Sequence, residues 1–169
     1  MIIDDESESG EIYQDILKDH EFEIIFYSNA SIALEKFKID KPDVVITDLN
    51  MPEISGKDVV KTIFNLSPST PVIVVSAFLT KHQCLELMNY GIFYCLEKPV
   101  SRLTLLSTLL NAVKKEETYR LLRQSIDLLK FQFSDVEEHL LSKGKEDIIN
   151  TIRNELMYLM NESISLQNI

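Results

Sequence analysis

Apolar and polar positions alternate in two different periods along the first two thirds of the chain. Runs rich in β-branched residues predict five strands, at 2–3, 22–27, 44–47, 72–76 and 93–96. Between them, apolar residues recur at helical spacing near 11–19, 32–37, 57–64 and 81–89. A fifth helix is predicted just after Ser101, which can cap its N-terminus. This alternation predicts a parallel α/β sheet with right-handed crossovers and helices on both faces.

Chemically active residues stand where these strands end. They are two adjacent acids, a third acid, a hydroxyl and an ammonium: Asp4, Asp5, Asp48, Ser76 and Lys98. Parallel strands present their carboxyl ends at one edge of a sheet, and ligands of such folds bind there. We therefore expect an anionic pocket at that edge.

The last third of the chain has a different pattern. Between residues 116 and 169 there is no proline and only one glycine, Gly144, within a predicted helix stop at Lys143–Lys145. Apolar residues recur there at steps of three and four: Tyr119, Leu122, Ile126, Leu129, Phe133, Val136 and Leu140, resumed by Ile149, Ile152, Leu156 and Leu159. This pattern predicts a helical hairpin. The stripe needs a partner, and we expect a homodimer, with an intramolecular cap on the α/β domain as the alternative.

Composition limits the classes of function. The chain has 169 residues, is 45% hydrophobic and carries a net charge of −10 without a basic patch, which disfavours direct nucleic-acid binding. No apolar run approaches the roughly 18 residues of a membrane helix, and the first residues lack a secretory signal, so we predict a cytoplasmic protein. Cys84 and Cys95 are predicted to be reduced thiols. Because Ile2–Ile3 is short for a central strand, we also expect the natural protein to extend a few residues upstream.

Several short motifs together resemble a known family. They are Asp4-Asp5, Asp48 followed by Met51-Pro52 and Gly56, Ser76-Ala77, and Lys98-Pro99. In this order and spacing they resemble the response-regulator receiver domain of two-component signalling, over about residues 1–115. The resemblance implies a flavodoxin-like, doubly wound, five-stranded parallel sheet of order 2-1-3-4-5. Residues 116–169 would then be a helical extension, a hairpin or coiled coil.

The resemblance also implies a metal-dependent phosphoacceptor. Asp48 would accept the phosphoryl group and ligate Mg²⁺ or Mn²⁺. Asp5 would be a direct ligand, Asp4 a second acid that orients metal-bound water, and Asn50 a ligand through its backbone carbonyl. Mg²⁺ prefers oxygen ligands and retains waters, so a few carboxylates suit it.

Three further residues belong to the implied switch. Lys98 would pair with Asp48 and then with the phosphoryl group, while the Ser76 hydroxyl would hydrogen bond to a phosphoryl oxygen. Pro99 is associated in this family with a cis bond that aims the lysine. The chain departs from the pattern at Cys95, where the family usually has Tyr or Phe.

The sequence therefore predicts a response regulator and not an enzyme. A sensor histidine kinase or a phosphotransfer protein would phosphorylate Asp48, and the switch would change dimerisation of the helical extension or its binding to another protein. Two alternatives stay open. One is a pseudo-receiver scaffold that never carries phosphate, and the other is a receiver whose helical output binds nucleic acid.

Overall fold

A computed structural model describes residues 1–165 of the chain. The described residues divide into two compact units, Met1–Glu116 and a second unit that begins at Glu117. The first unit contains five strands that alternate with helices: β1 Ile2–Ile3, α1 Ser7–Leu17, β2 Phe26–Tyr27, α2 Ala30–Asp40, β3 Val45–Asp48, α3 Gly56–Leu66, β4 Val72–Ser76, α4 Lys81–Met88 and β5 Tyr94–Glu97. Two long helices follow, α5 Arg102–Ser142 and α6 Glu146–Ser165.

The five strands form one parallel sheet of order β2-β1-β3-β4-β5, which confirms the predicted fold class and strand order. The register pairs Asp48 with Val75 and Ser76 with Glu97. The carboxyl ends of β3, β4 and β5 therefore meet at one edge of the sheet.

Each face of the sheet carries its own apolar layer. One layer joins the sheet to α2, α3 and α4 through residues such as Phe37, Ile63 and Leu87. The other joins it to α1 and α5 through Tyr13 and Leu105. Strands covered on both faces must be apolar on both, which explains why Val72–Val75 of β4 is an unbroken β-branched run.

Local capping sets where the helices begin. The side chains of Asn29, Ser55 and Thr80 each accept a hydrogen bond from the backbone of the first turn of α2, α3 and α4. Ser101 Oγ accepts from the backbone N–H of Thr104 at 3.1 Å, so the predicted cap of α5 is present. Helix α2 ends at Asp40, and the next residue, Lys41, adopts a left-handed conformation with φ of 45°.

The predicted second strand was too long. We predicted residues 22–27, but only Phe26–Tyr27 pair with a neighbour. The reason is that β2 lies at the sheet edge and its one neighbour, β1, is two residues long. Apolar residues Phe22 and Ile24 still pack against the core without joining the ladder.

The second unit is built from the later part of α5 and from α6. The two helices are joined at Gly144, which has φ of 66°, so the predicted helix stop is present. Ile126 of α5 and Ile149 of α6 are buried, and Arg153 forms an ion pair with Glu137. Glu137 precedes the turn and Arg153 follows it, so the helices run antiparallel. Across residues 1–165, no helix combines the length and apolar character needed to cross a membrane.

Candidate functional site

Asp4 is a buried carboxylate at the end of β1, with 1% of its surface exposed. One of its oxygens accepts from the backbone N–H of Glu6 at 3.0 Å, and the other accepts from Lys98 Nζ at 2.9 Å. The backbone N–H of Asp4 donates to the carbonyl of Tyr27 at 3.2 Å. The turn after β1 therefore aims Asp4 along the sheet edge.

Asp48, the last residue of β3, is the second buried acid. Its Oδ1 lies 2.9 Å from Lys98 Nζ, and its Oδ2 accepts from the backbone N–H of Asn50 at 2.6 Å. Both carboxylates thus contact the same ammonium, and the two contacting oxygens are separated by no more than twice 2.9 Å.

The loop after Asp48 folds back tightly against the strand end. Gly56 donates its backbone N–H to the carbonyl of Leu49 at 2.9 Å. A Cβ at Gly56 would lie 2.0 Å from the backbone oxygen of Asp48 and 2.7 Å from the Cα of Leu49. Only glycine fits there without moving the backbone that carries Asp48.

Lys98 follows β5 and holds the two acids together. Burial alone lowers the pKa of its amine, but hydrogen bonds to Asp4 and Asp48 outweigh that effect and raise the pKa above the usual lysine value. Its backbone N–H donates to the carbonyl of Ser76 at 2.8 Å, which fixes the end of β5 against that of β4. The Lys98–Pro99 peptide bond is cis. Lys98 is therefore a fixed, charged ammonium.

Ser76 ends β4 and is fully buried. Its hydroxyl accepts from Asn50 Nδ2 at 3.2 Å and donates to the carbonyl of Phe78 at 3.2 Å. Because Asn50 also donates its backbone N–H to Asp48, this residue connects the acid to the hydroxyl.

The structure thus brings together Asp4, Asp48, Asn50, Ser76 and Lys98 and leaves Asp5 apart. Asp5 is exposed, whereas its neighbour Asp4 points inward.

Two adjacent residues of β5, Tyr94 and Cys95, precede Lys98 and lie in different environments. Cys95, where an aromatic residue is usual, packs against the apolar layer of α2–α4, while the adjacent Tyr94 is 55% exposed. Burial, and then the neighbouring Cys84, raise the pKa of the Cys95 thiol to about 12. Both cysteines are free, as predicted.

Sequence reasoning missed two residues near the site. The carboxylate of Glu6 lies 3.8 Å from Lys98 Nζ. Glu6 is the third of three consecutive acids after β1, so its position in the sequence could have indicated that it lies near the site. Tyr13 of α1 is buried, and burial is the main reason that its pKa is raised to about 12. The positive charge of Lys98 lowers this pKa in part, while the negative charges of Asp4 and Asp48 raise it. Nothing in the periodicity of α1 distinguishes Tyr13 from an ordinary core residue.

The donor set has the chemistry of a hard-cation site. Asp4 and Asp48 contribute carboxylate oxygens at one point of the sheet edge, and Mg²⁺ and Mn²⁺ prefer oxygen donors. Within residues 1–165, no three His, Cys, Asp or Glu side chains already surround a common point. The residues present therefore fit a cation held by few protein ligands and by water.

Comparison with known proteins gives one consistent family. The response regulator receiver domain family matches residues 1–110. The chain is 32% identical over 100 residues to chemotaxis protein CheY of Thermotoga maritima, covering 59% of this chain and 83% of that protein. It is 36% identical over 81 residues to the uncharacterized transcriptional regulatory protein YesN of Bacillus subtilis, covering 48% of this chain and 22% of that one.

A solved structure has the same fold. The signal receiver domain of a LuxO repressor protein from Vibrio parahaemolyticus superposes with a TM-score of 0.68 at 25% identity, covering 71% of this chain and 92% of that one. The similarity covers the α/β unit, while helix α5 continues beyond the residues that the family matches.

Proposed function

Because the chain belongs to the response regulator receiver family of two-component systems, we propose that Asp48 accepts a phosphoryl group from a sensor histidine kinase or a phosphotransfer protein. Receiver domains are signalling phosphoacceptors and interact with such proteins. The observation that carries the proposal is the contact of Lys98 Nζ with both Asp48 and Asp4 at 2.9 Å. This contact supports the proposal, because two buried carboxylates and a cation then lie together at one sheet edge, as phosphoryl transfer to Asp48 would require.

In the proposed reaction, an oxygen of Asp48 attacks phosphorus while the P–N bond of a phosphohistidine breaks and its electron pair returns to the imidazole. Mg²⁺, when bound by Asp4, Asp5, Asp48 and the backbone carbonyl of Asn50, would neutralise charge on the phosphoryl oxygens. Lys98 keeps Asp48 oriented before the transfer and then pairs with the phosphoryl group.

Ser76 supports the switch step. Its hydroxyl must leave the carbonyl of Phe78 to donate to a phosphoryl oxygen. Phe78 lies two residues before Thr80, which forms a capping box with Gln83 at the start of α4. A movement of Ser76 would therefore shift the residues at which α4 begins. We propose that the surface formed by β4, α4 and β5, together with α5, transmits this change to the helical extension.

The test is phosphorylation by acetyl phosphate with Mg²⁺, followed by intact mass spectrometry. The wild-type chain should gain the mass of one phosphoryl group and Asp48→Ala should not. Asp15→Ala, which removes an exposed carboxylate of α1, is the matched control and should behave as wild type. A chain that gains no mass and binds no beryllofluoride would instead be a pseudo-receiver scaffold.

A second experiment separates the switch from the phosphoacceptor. Ser76→Ala should still gain phosphate at Asp48 but should not show the change in the extension that beryllofluoride produces in wild type. Hydrogen exchange of α4 and α5 amides reports that change. Equal responses in wild type and variant would remove Ser76 from the switch.

A further inference from the structure

Cys84 of helix α4 and Cys95 of strand β5 lie beside each other in the first unit. Cys95 packs against the apolar layer of α2–α4, while Tyr94 before it is exposed, so the Cys95 side chain faces the helices. On α4, the buried Leu87 belongs to the same layer, and Cys84, three residues earlier, lies on the same side of the helix. The two thiols are in hydrogen-bond contact. Helix α4 and strand β5 therefore meet at a pair of sulfur atoms.

This pair of thiols is close in sequence to the switch residues but is not part of the phosphoacceptor site. Cys95 lies on the strand that leads to Lys98, and α4 starts at Lys81, shortly after Ser76. Both cysteines are free and half-buried, so a small molecule in solution can reach them. The chain has no other cysteine. A covalent bond between these thiols would join two of the elements that form the β4, α4 and β5 surface.

We propose that Cys84 and Cys95 form a reversible disulfide, which joins α4 to β5 when the chain meets a small-molecule disulfide. The bond forms whether or not Asp48 is phosphorylated, whereas its effect on switching rests on the proposed function. Cys95 stands where the family usually has an aromatic residue, so the pair is a feature of this chain.

The reaction consists of two successive thiol–disulfide exchanges. Cys84 Sγ attacks one sulfur of the reagent, the S–S bond of the reagent breaks, and a first reagent thiol leaves with the proton of Cys84. Cys95 Sγ then attacks Cys84 Sγ and expels the second reagent thiol, which takes up the proton of Cys95. The two cysteines lose two electrons in total, and the reagent gains them as it becomes two thiols.

The surroundings of Cys95 set the order of these steps. Burial raises the pKa of its thiol to about 12, so Cys95 stays protonated at neutral pH and Cys84 makes the first attack. Once Cys84 carries the reagent, its sulfur lies beside Cys95, and this proximity offsets the small fraction of Cys95 thiolate. The same raised pKa makes Cys95 a poor leaving group, so thiols reduce the finished disulfide slowly.

The first test treats the chain with oxidised glutathione and identifies the products by intact mass spectrometry. The wild-type chain should become about 2 Da lighter, as expected for one internal disulfide, and should retain no glutathione. Cys95→Ser is the matched control, because it lacks the second thiol and should stop as a glutathione adduct of Cys84. Reduced glutathione should remove that adduct at least about tenfold faster than it opens the wild-type disulfide. A wild-type chain that also stops at the adduct, or that forms disulfide-linked dimers instead, overturns the inference.

The second test measures whether the disulfide restrains α4. Hydrogen exchange of the α4 amides should be at least about tenfold slower in the oxidised chain than in the reduced chain, because the bond opposes local opening of the helix. Dithiothreitol should restore the faster exchange. Equal exchange rates in the two forms would overturn the joining of α4 to β5.

A third measurement separates the disulfide from the phosphoacceptor. Both forms of the chain should gain one phosphoryl group from acetyl phosphate and Mg²⁺, but beryllofluoride should change the exchange of α4 amides in the reduced form only. A chain that forms the disulfide and takes up no phosphate contradicts the proposed function alone. Equal responses to beryllofluoride in both forms contradict control of the switch by the disulfide.

Discussion

Replacing Lys98 by methionine tests the electrostatics of the site directly. The substitution leaves the buried carboxylates of Asp4 and Asp48 without their shared ammonium. Their contacting oxygens are separated by at most twice 2.9 Å. At that distance and an effective dielectric constant of about 20, two unit charges repel by about 3 kcal/mol. Lys98→Met should therefore lower the free energy of unfolding by about 3 kcal/mol, a value in the range for breaking a buried ion pair.

The assay is urea unfolding at neutral pH without Mg²⁺. Adding Asp48→Asn to Lys98→Met should recover most of the loss, because only one carboxylate then stays charged. Lys57→Met is the matched control: its ion pair with Glu86 has side chains 34% and 35% exposed, so its loss should be much smaller than that of Lys98→Met.

Two results would refute this reasoning. One is a Lys98→Met variant that loses no more stability than Lys57→Met. The other is an unchanged loss after Asp48→Asn is added, since repulsion between the two acids would then not be its cause.

Three other predictions follow from the surroundings of the site. Gly56→Ala should destabilise the fold by about 1–3 kcal/mol in urea unfolding, because its Cβ would meet the backbone oxygen of Asp48 at 2.0 Å. The pKa of Tyr13 is about 12 in the folded chain and 10.0 without the influence of the fold. The free energy of unfolding should therefore fall as pH rises from 10.0 to about 12, because the unfolded chain releases this proton first. Tyr13→Phe should remove the ionisation near pH 12 from an absorbance titration of the tyrosines. The Cys95 thiol, with a pKa raised to about 12, should react with a disulfide reagent at pH 8 at least about tenfold more slowly than an unhindered cysteine, measured in a Cys84→Ser background.

The fold was predictable where burial constrains both faces of an element. The β4 run at 72–76 was predicted with its observed bounds, because a strand covered on both sides must be apolar throughout. The edge strand β2 was not, since its pairing ends where the two-residue β1 ends. The number of residues that an edge strand pairs depends on the length of the neighbouring strand, and the residues of the edge strand itself do not reveal that length.

The sequence allowed us to predict which strand ends carry the site residues, but not which side chains contact one another there. The order of the strands places Asp4, Asp48, Ser76 and Lys98 at one edge. Which of two adjacent acids turns inward depends on the hydrogen bond from Glu6 N–H to Asp4, which the sequence does not reveal. The side-chain contact between Asn50 and Ser76 likewise depends on how the loop after β3 folds back.

The most direct test of the central claim is to locate the phosphoryl group on the chain. After treatment with acetyl phosphate and Mg²⁺, borohydride reduction converts an aspartyl phosphate to homoserine, and peptide mass spectrometry identifies its position. We predict conversion at Asp48 alone. Conversion at Asp4 or Asp5 instead, or no conversion anywhere in a chain that folds as wild type, would contradict Asp48 as the phosphoacceptor.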